Sequence, residues 1–153
     1  MTTCVYKIKY DQSSFQLNEE YDRLSDYEKE KIADLDTESF FDYQDHSDRY
    51  VCFIISTPNE VEKYSSILLN NLIQHEIIDL TQDILKSKLD LEDELKPLLS
   101  TINSIKYSFF IDDLNDWILE NLDIDTVLDR ILEVGSVSNL SSIEKKFLNN
   151  YKI

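Results

Sequence analysis

An α+β fold, with a small sheet ahead of a helical C-terminal half, follows from three features of the 153-residue chain. Arg49-Tyr-Val-Cys-Phe-Ile-Ile-Ser56 is a run of β-branched and aromatic residues, long enough for a buried strand and too short for a helix that needs a polar face. Thr57-Pro-Asn-Glu60 follows at once: a hydroxyl cap, proline at the first helical position, and glutamate three residues after the cap. Past residue 80, helix-opening patterns recur with little strand signal between them. A chain of this length is expected to form one compact domain, burying roughly 70% of its unfolded surface, with 91–153 as a mostly helical extension.

Residues 4–10 alternate apolar and basic side chains, which predicts a strand with Tyr6, Ile8 and Tyr10 on a buried face. Lys7 and Lys9 then occupy the wet face, and charge there suits an edge strand that must not pair with other chains. From Phe15 the chain is acidic and helical: Leu17, Tyr21 and Leu24 share one face. Ser25-Asp-Tyr-Glu28 has the form of a capping box, opening a second helix through Tyr27, Ile32 and Leu35. The cluster Phe40-Phe41-Asp-Tyr43 reads as a loop, tucked onto the core or turned toward a partner.

Strand 50–56, a helix carrying Val61, Tyr64, Leu68 and Leu72, and strand 76–80 then form a βαβ unit, whose strands run parallel. Thr81-Gln-Asp83 opens a short helix. Leu91, Leu95, Leu98, Ile102 and Ile105 recur in steps of four and three, an apolar seam that Pro97 kinks or restarts. Residues 106–111 are ambiguous: Tyr107, Phe109 and Ile111 alternate as in a strand, while the flanks are helical. Asp112 or Asp113 can cap a helix holding Leu114, Trp117, Ile118 and Leu122. Asp123 caps the next, Val127 to Val134, and Gly135, the only glycine, stands where a left-handed C-cap belongs. Ser141-Ser-Ile-Glu144 opens a last helix through Phe147, Leu148 and Tyr151.

Leu128-Asp-Arg-Ile-Leu-Glu-Val-Gly135, followed by Leu140-Ser-Ser-Ile-Glu144-Lys-Lys-Phe-Leu148, resembles a short helical tail found at the end of many Bacteroidota proteins. The resemblance implies a bacterial or bacteriophage origin and carries no activity with it.

Composition excludes several chemistries. A single glycine cannot build the phosphate-cradling loops of Walker or Rossmann sites, nor the Gly-x-Ser-x-Gly elbow of hydrolases. Cys4 and Cys52 both fall in predicted strands and lack a histidine at metal spacing, so a reduced core pair is expected. Asp123-x-Asp125 begins like a calcium loop, but Leu128 and Val134 stand where glycine and glutamate are needed. His46 lies in an acidic loop and His75 at a strand start; Ser47 is merely adjacent to His46 in sequence, and neither histidine belongs to a nucleophile arrangement. No apolar run reaches the ~18 residues of a membrane span, and no export signal is read, which makes a cytoplasmic protein the expectation.

The net charge of −16 is concentrated. Residues 11–48 hold thirteen acids against three bases and residues 76–129 hold fourteen against four, while 49–75 is balanced. Such a field repels nucleic-acid phosphates and anionic lipid, and attracts basic protein surfaces; acidity also serves solubility alone. The reading is a non-enzymatic protein without cofactor or metal, monomer or homodimer, that binds a basic partner protein, in its sharpest form an inhibitor or immunity protein mimicking nucleic acid. Candidate partner-binding residues are Asp36, Glu38, Phe40, Phe41, Asp42, Tyr43, Asp45 and Asp48 in the first block, with Glu92, Asp93 and Glu94 in the second. Two alternatives stand beside it. One is a carboxylate enzyme using a divalent metal at groups such as Asp112, Asp113 and Asp116. The other is self-association along the Leu91 to Ile105 seam.

Overall fold

The computed structural model describes residues 2–45 and 49–151, so the expectations for His46 and Asp48 lie outside the described residues. The fold is α+β, and the chain divides into two compact units, Met1–Leu80 and Thr81–Ile153.

The first unit runs β1 (Cys4–Tyr10), α1 (Ser14–Asp22), α2 (Asp26–Ala33), β2 (Thr37–Asp45), β3 (Arg49–Ser56), α3 (Pro58–Asn70) and β4 (His75–Asp79). Its four strands form one sheet in the order β2-β3-β1-β4, every neighbouring pair antiparallel. Because β3 and β4 both run against β1, they are parallel to each other with β1 between them. The expected crossover is therefore present, but its strands are not neighbours. β1 and β2 are related in the same way across β3, which makes this the ferredoxin-like split βαβ plan, a scaffold that hosts unrelated functions.

Two expectations are corrected here. β1 is an interior strand, so Lys7 and Lys9 do not guard an edge; Lys7 instead places its ammonium 5.6 Å from the Phe53 ring centroid. Residues 40–43 are not a loop but the middle of β2, an edge strand paired with β3 from Thr37↔Ser56 to Asp45↔Arg49, with one irregularity at Thr37/Ser39. Asp and Glu are poor strand formers, and here the pairing with β3 overrides that preference.

One sheet face carries Ile8 and Tyr10, packed with Leu68 of α3 and Ile73, and flanked by Leu17, Tyr64 and Ile77. On the other, Val5, Phe41, Val51, Phe53 and Ile55 are also buried. Cys4 pairs opposite Ser56 and Cys52 opposite Ile8, four positions apart along the ladder. That is roughly 13 Å of strand, well beyond the ~7 Å a disulfide can bridge, and both thiols are free. The helices start where capping chemistry places them: Ser25 exchanges both bonds of its box with Glu28, and Thr57 accepts from the Glu60 N–H. Leu72 does not continue α3; it sits past the C-cap at φ 59° and is exposed.

The second unit contains α4 (Thr81–Leu85), α5 (Leu91–Leu95), a 3-10 turn (Lys96–Leu98), α6 (Ser104–Asn121), α7 (Ile124–Val134), a second 3-10 turn (Val137–Asn139) and α8 (Ser142–Asn150). The segment 106–111 is helical, against the possible strand. Tyr107, Phe110, Ile111, Leu114, Trp117 and Ile118 are buried at steps of three and four through the whole of α6, while Phe109 points outward. The cap of α6 is Asn103, whose side chain accepts from the Ile105 and Lys106 N–H groups; Asp112 and Asp113 are interior helix positions. The Leu91–Ile105 seam is likewise not one helix. Pro97 falls in the 3-10 turn, Leu91 and Leu95 are buried, and Ile105 is exposed. Asp123, Gly135 (φ 92°) and Ser141 occupy the caps expected of them. No helix among the described residues is long and apolar enough to cross a membrane.

Candidate functional site

The first acidic block is built by α1, α2 and β2. Asp36 leads into β2 and is held by its backbone: its N–H donates to Glu60 Oε2 at 2.9 Å, and its carbonyl accepts from Ser56 Oγ at 2.6 Å. That N–H, with Lys63 at 2.9 Å, holds the Glu60 carboxyl below its ordinary range. Along β2, alternation divides the candidates. Phe41 is core and cannot meet a partner, and half-buried Tyr43 lies against Phe53 with centroids 6.3 Å apart. Phe40 points the other way and remains 55% exposed, with Glu38 exposed beside it. Asp42 and Asp45 are half-buried, Asp45 directly opposite Arg49. Asp48 lies outside the described residues. Glu92, Asp93 and Glu94 are exposed in α5 and belong to the second unit.

Two aromatics of the same acidic block escaped the sequence reading. Phe15 on α1 is 70% exposed, and Tyr27, expected on the buried face of α2, is 67% exposed. Lys31 stands over the Tyr27 ring at 5.3 Å and Lys29 over Tyr21 at 5.7 Å. Around them Glu19, Asp22, Asp26, Glu30 and Asp34 are exposed. The signal for Tyr27 was available: the positions three and four residues on are Glu30 and Lys31, and Ile32, five residues on, falls off its face.

The structure also brings together a serine and a histidine that lie ten residues apart. Ser65 Oγ is 2.7 Å from His75 Nε2, and His75 Nδ1 is 3.0 Å from the Ile73 carbonyl. A carbonyl only accepts, so Nδ1 carries the proton and Nε2 accepts from Ser65 in the neutral ring. This is the base half of a nucleophile pair. The acceptor half is missing, because Ser65 lies inside α3, where the neighbouring N–H groups are spent on helix bonds and cannot stabilise an oxyanion. The contact clamps α3 to β4.

Behind α1 and α2 a cavity of about 160 Å³ is lined by Tyr10, Tyr21, Tyr50, Tyr64, Asn18 and apolar side chains. The Tyr10 and Tyr64 hydroxyls are bonded at 2.7 Å, and burial pushes both phenols up, Tyr64 to about 12. Cys52, on the same sheet face, is pushed up to about 12 by burial and by Asp42. These groups are neutral at physiological pH.

No protein-family model, curated protein or solved structure matches the chain. Among the described residues, no three His, Cys, Asp or Glu side chains converge closely enough to hold a metal ion, and Asp112, Asp113 and Asp116 are exposed on α6.

The second unit has a larger cleft, about 580 Å³, between the loop into α5 and the start of α8. Beside it lies a buried ion pair that sequence spacing could not reveal. Glu144, 1% exposed, accepts from Arg130 Nε at 3.2 Å through one carboxylate oxygen and from the Ser141 N–H at 3.0 Å through the other. Arg130 also reaches Glu133 at 3.4 Å. The capping glutamate of α8 thus fixes α7 as well.

Proposed function

We propose that this is a non-catalytic acidic protein that docks on a basic surface of a partner protein, using the carboxylates and exposed aromatics of α1, α2 and β2. The reading is carried by one observation: Phe15, Tyr27 and Phe40 are each more than half exposed within a segment that holds thirteen acids against three bases. Carboxylates supply steering and orientation, and their attraction weakens with salt. Aromatic rings supply apolar area to bury and faces for cations, worth roughly 0.5–2 kcal/mol each. The chain already uses its rings this way, with Lys31 over Tyr27 and Lys29 over Tyr21. In its sharper form the partner presents a nucleic-acid-binding groove, and the protein acts as its inhibitor.

Selection of binders from a random-peptide display library tests this whatever the identity of the natural partner. The expected winners are rich in Lys and Arg, compete with one another, and lose affinity for a Phe40→Ser variant of unchanged net charge. Recovery of acidic or charge-neutral peptides, or binding indifferent to Phe40→Ser, would count against the proposal.

A further inference from the structure

We infer that the cleft of the second unit is a binding site for a small zwitterion of the amino-acid or dipeptide class bearing an apolar side chain. At about 580 Å³ it falls within the range of small-molecule sites, roughly 300–1,000 Å³, and exceeds the space a free amino acid needs. Its walls carry charges of both signs. Asp90, the N-cap of α5, and Glu92 within it line one side, Lys146 lines it from α8, and Leu114, Ile118 and Leu140 supply apolar surface. Lys146 forms no ion pair within 4.0 Å among the described residues, although two carboxylates share its cleft. The opposite charges are thus held apart rather than spent on each other.

The supporting framework is fixed. Asp90 Oδ1 accepts from the Asp93 N–H at 3.2 Å as the cap of α5, and the Glu92 carbonyl accepts from the Tyr107 hydroxyl at 3.2 Å. Across the cleft, Arg130 is neutralised by Glu144 and Glu133, which leaves Lys146 as the uncompensated cation. A ligand carboxylate is therefore assigned to Lys146, a ligand ammonium to Glu92 and the free oxygen of Asp90, and the side chain to the leucine and isoleucine surface. A ligand with only one charge gains attraction from one wall alone, and a purely apolar ligand from neither. This site is independent of the docking surface proposed for the first unit.

Calorimetric titration of the full chain with L-leucine, L-phenylalanine and Leu-Leu tests the inference, alongside the N-acetyl and C-amide forms of whichever binds. Ligand concentrations reach about 10 mM, enough to fill even a site with a Kd of about 1 mM. The expected result is binding of at least one zwitterion, with each blocked form weakened at least about tenfold, or about 1.4 kcal/mol. Lys146→Met should abolish the preference for the free carboxylate, and Glu92→Gln the preference for the free ammonium. Both positions are exposed, so neither change threatens folding. Glu62→Gln on α3, exposed and outside both proposed sites, serves as the control and should leave zwitterion binding unchanged. Absence of heat from every zwitterion, or blocked forms that bind as well as the parents, would overturn the assignment.

Discussion

The two units treat their ionisable side chains in opposite ways. In the first, no carboxylate among the described residues is fully buried, and the buried Tyr10 and half-buried Tyr64 and Cys52 are kept neutral by their surroundings. In the second, a carboxylate is taken inside and neutralised by Arg130. The difference follows from what each unit has to hold it together. The sheet of the first gives a core of strand-paired apolar residues drawn from distant parts of the chain, which needs no buried charge to hold it. The second is a set of mostly short helices fastened by caps, and the Arg130–Glu144 pair ties two of those helices together.

The largest expected effect contrasts the two cores. Phe53→Ala should cost about 4 kcal/mol, because its ring is enclosed on β3 and a cavity would remain. Glu144→Ala should cost about 3 kcal/mol by stranding the Arg130 guanidinium, and joint replacement by Arg130→Met and Glu144→Leu should recover most of that. Urea titration followed by Trp117, the only tryptophan and a buried residue of the second unit, reads the Glu144 change directly. If the double variant were as unstable as Glu144→Ala, the pair would not be the fastening described.

Alkali should weaken the first unit next. The unfolded thiol of Cys52 ionises near 9.0 and the folded one only near about 12; Tyr64 moves from 10.0 to about 12. The native state therefore holds more protons across this window. These contributions are intact below pH 9 and decline as pH rises, by up to about 1.4 kcal/mol per pH unit for each group. Urea titrations at rising pH should show a shallower decline for Cys52→Ala than for the parent; identical slopes would remove the thiol from this explanation.

The smallest effects concern caps. Gly135→Ala should cost about 1 kcal/mol through its left-handed backbone alone, since a Cβ there meets nothing within 4 Å. Ser25→Ala should cost about the same through its lost N-cap bonds. Thermal melts would resolve both.

These caps were also the most legible part of the fold. Ser25, Thr57, Asp123, Gly135 and Ser141 act on neighbours three or four residues away, so their roles can be read locally. β2 could not be read that way, since Glu38, Asp42 and Asp45 disguise a strand that exists because β3 pairs with it. Position 109 misled for a related reason: Tyr107, Phe109 and Ile111 alternate over a few residues, and only the longer helical period from Tyr107 to Ile118 exposes Phe109. Within the candidate surface, the sequence located the acidic segment but not its faces. Phe41 and Phe40 are adjacent, yet one is core and the other is 55% exposed. The Ser65–His75 contact and the charged cleft join distant residues and left no local mark.

The most direct test of the docking surface is calorimetric binding of a selected basic peptide at about 50 and about 200 mM salt, a range over which screening shortens appreciably. The wild-type chain should be compared with the triple variant Phe15→Ser, Tyr27→Ser, Phe40→Ser. The expected result is an affinity that falls several-fold with salt for both proteins, and a further loss of about tenfold for the triple variant at either salt concentration. An affinity unmoved by salt, or a triple variant that binds like the wild type, would contradict a surface built from carboxylates and exposed rings.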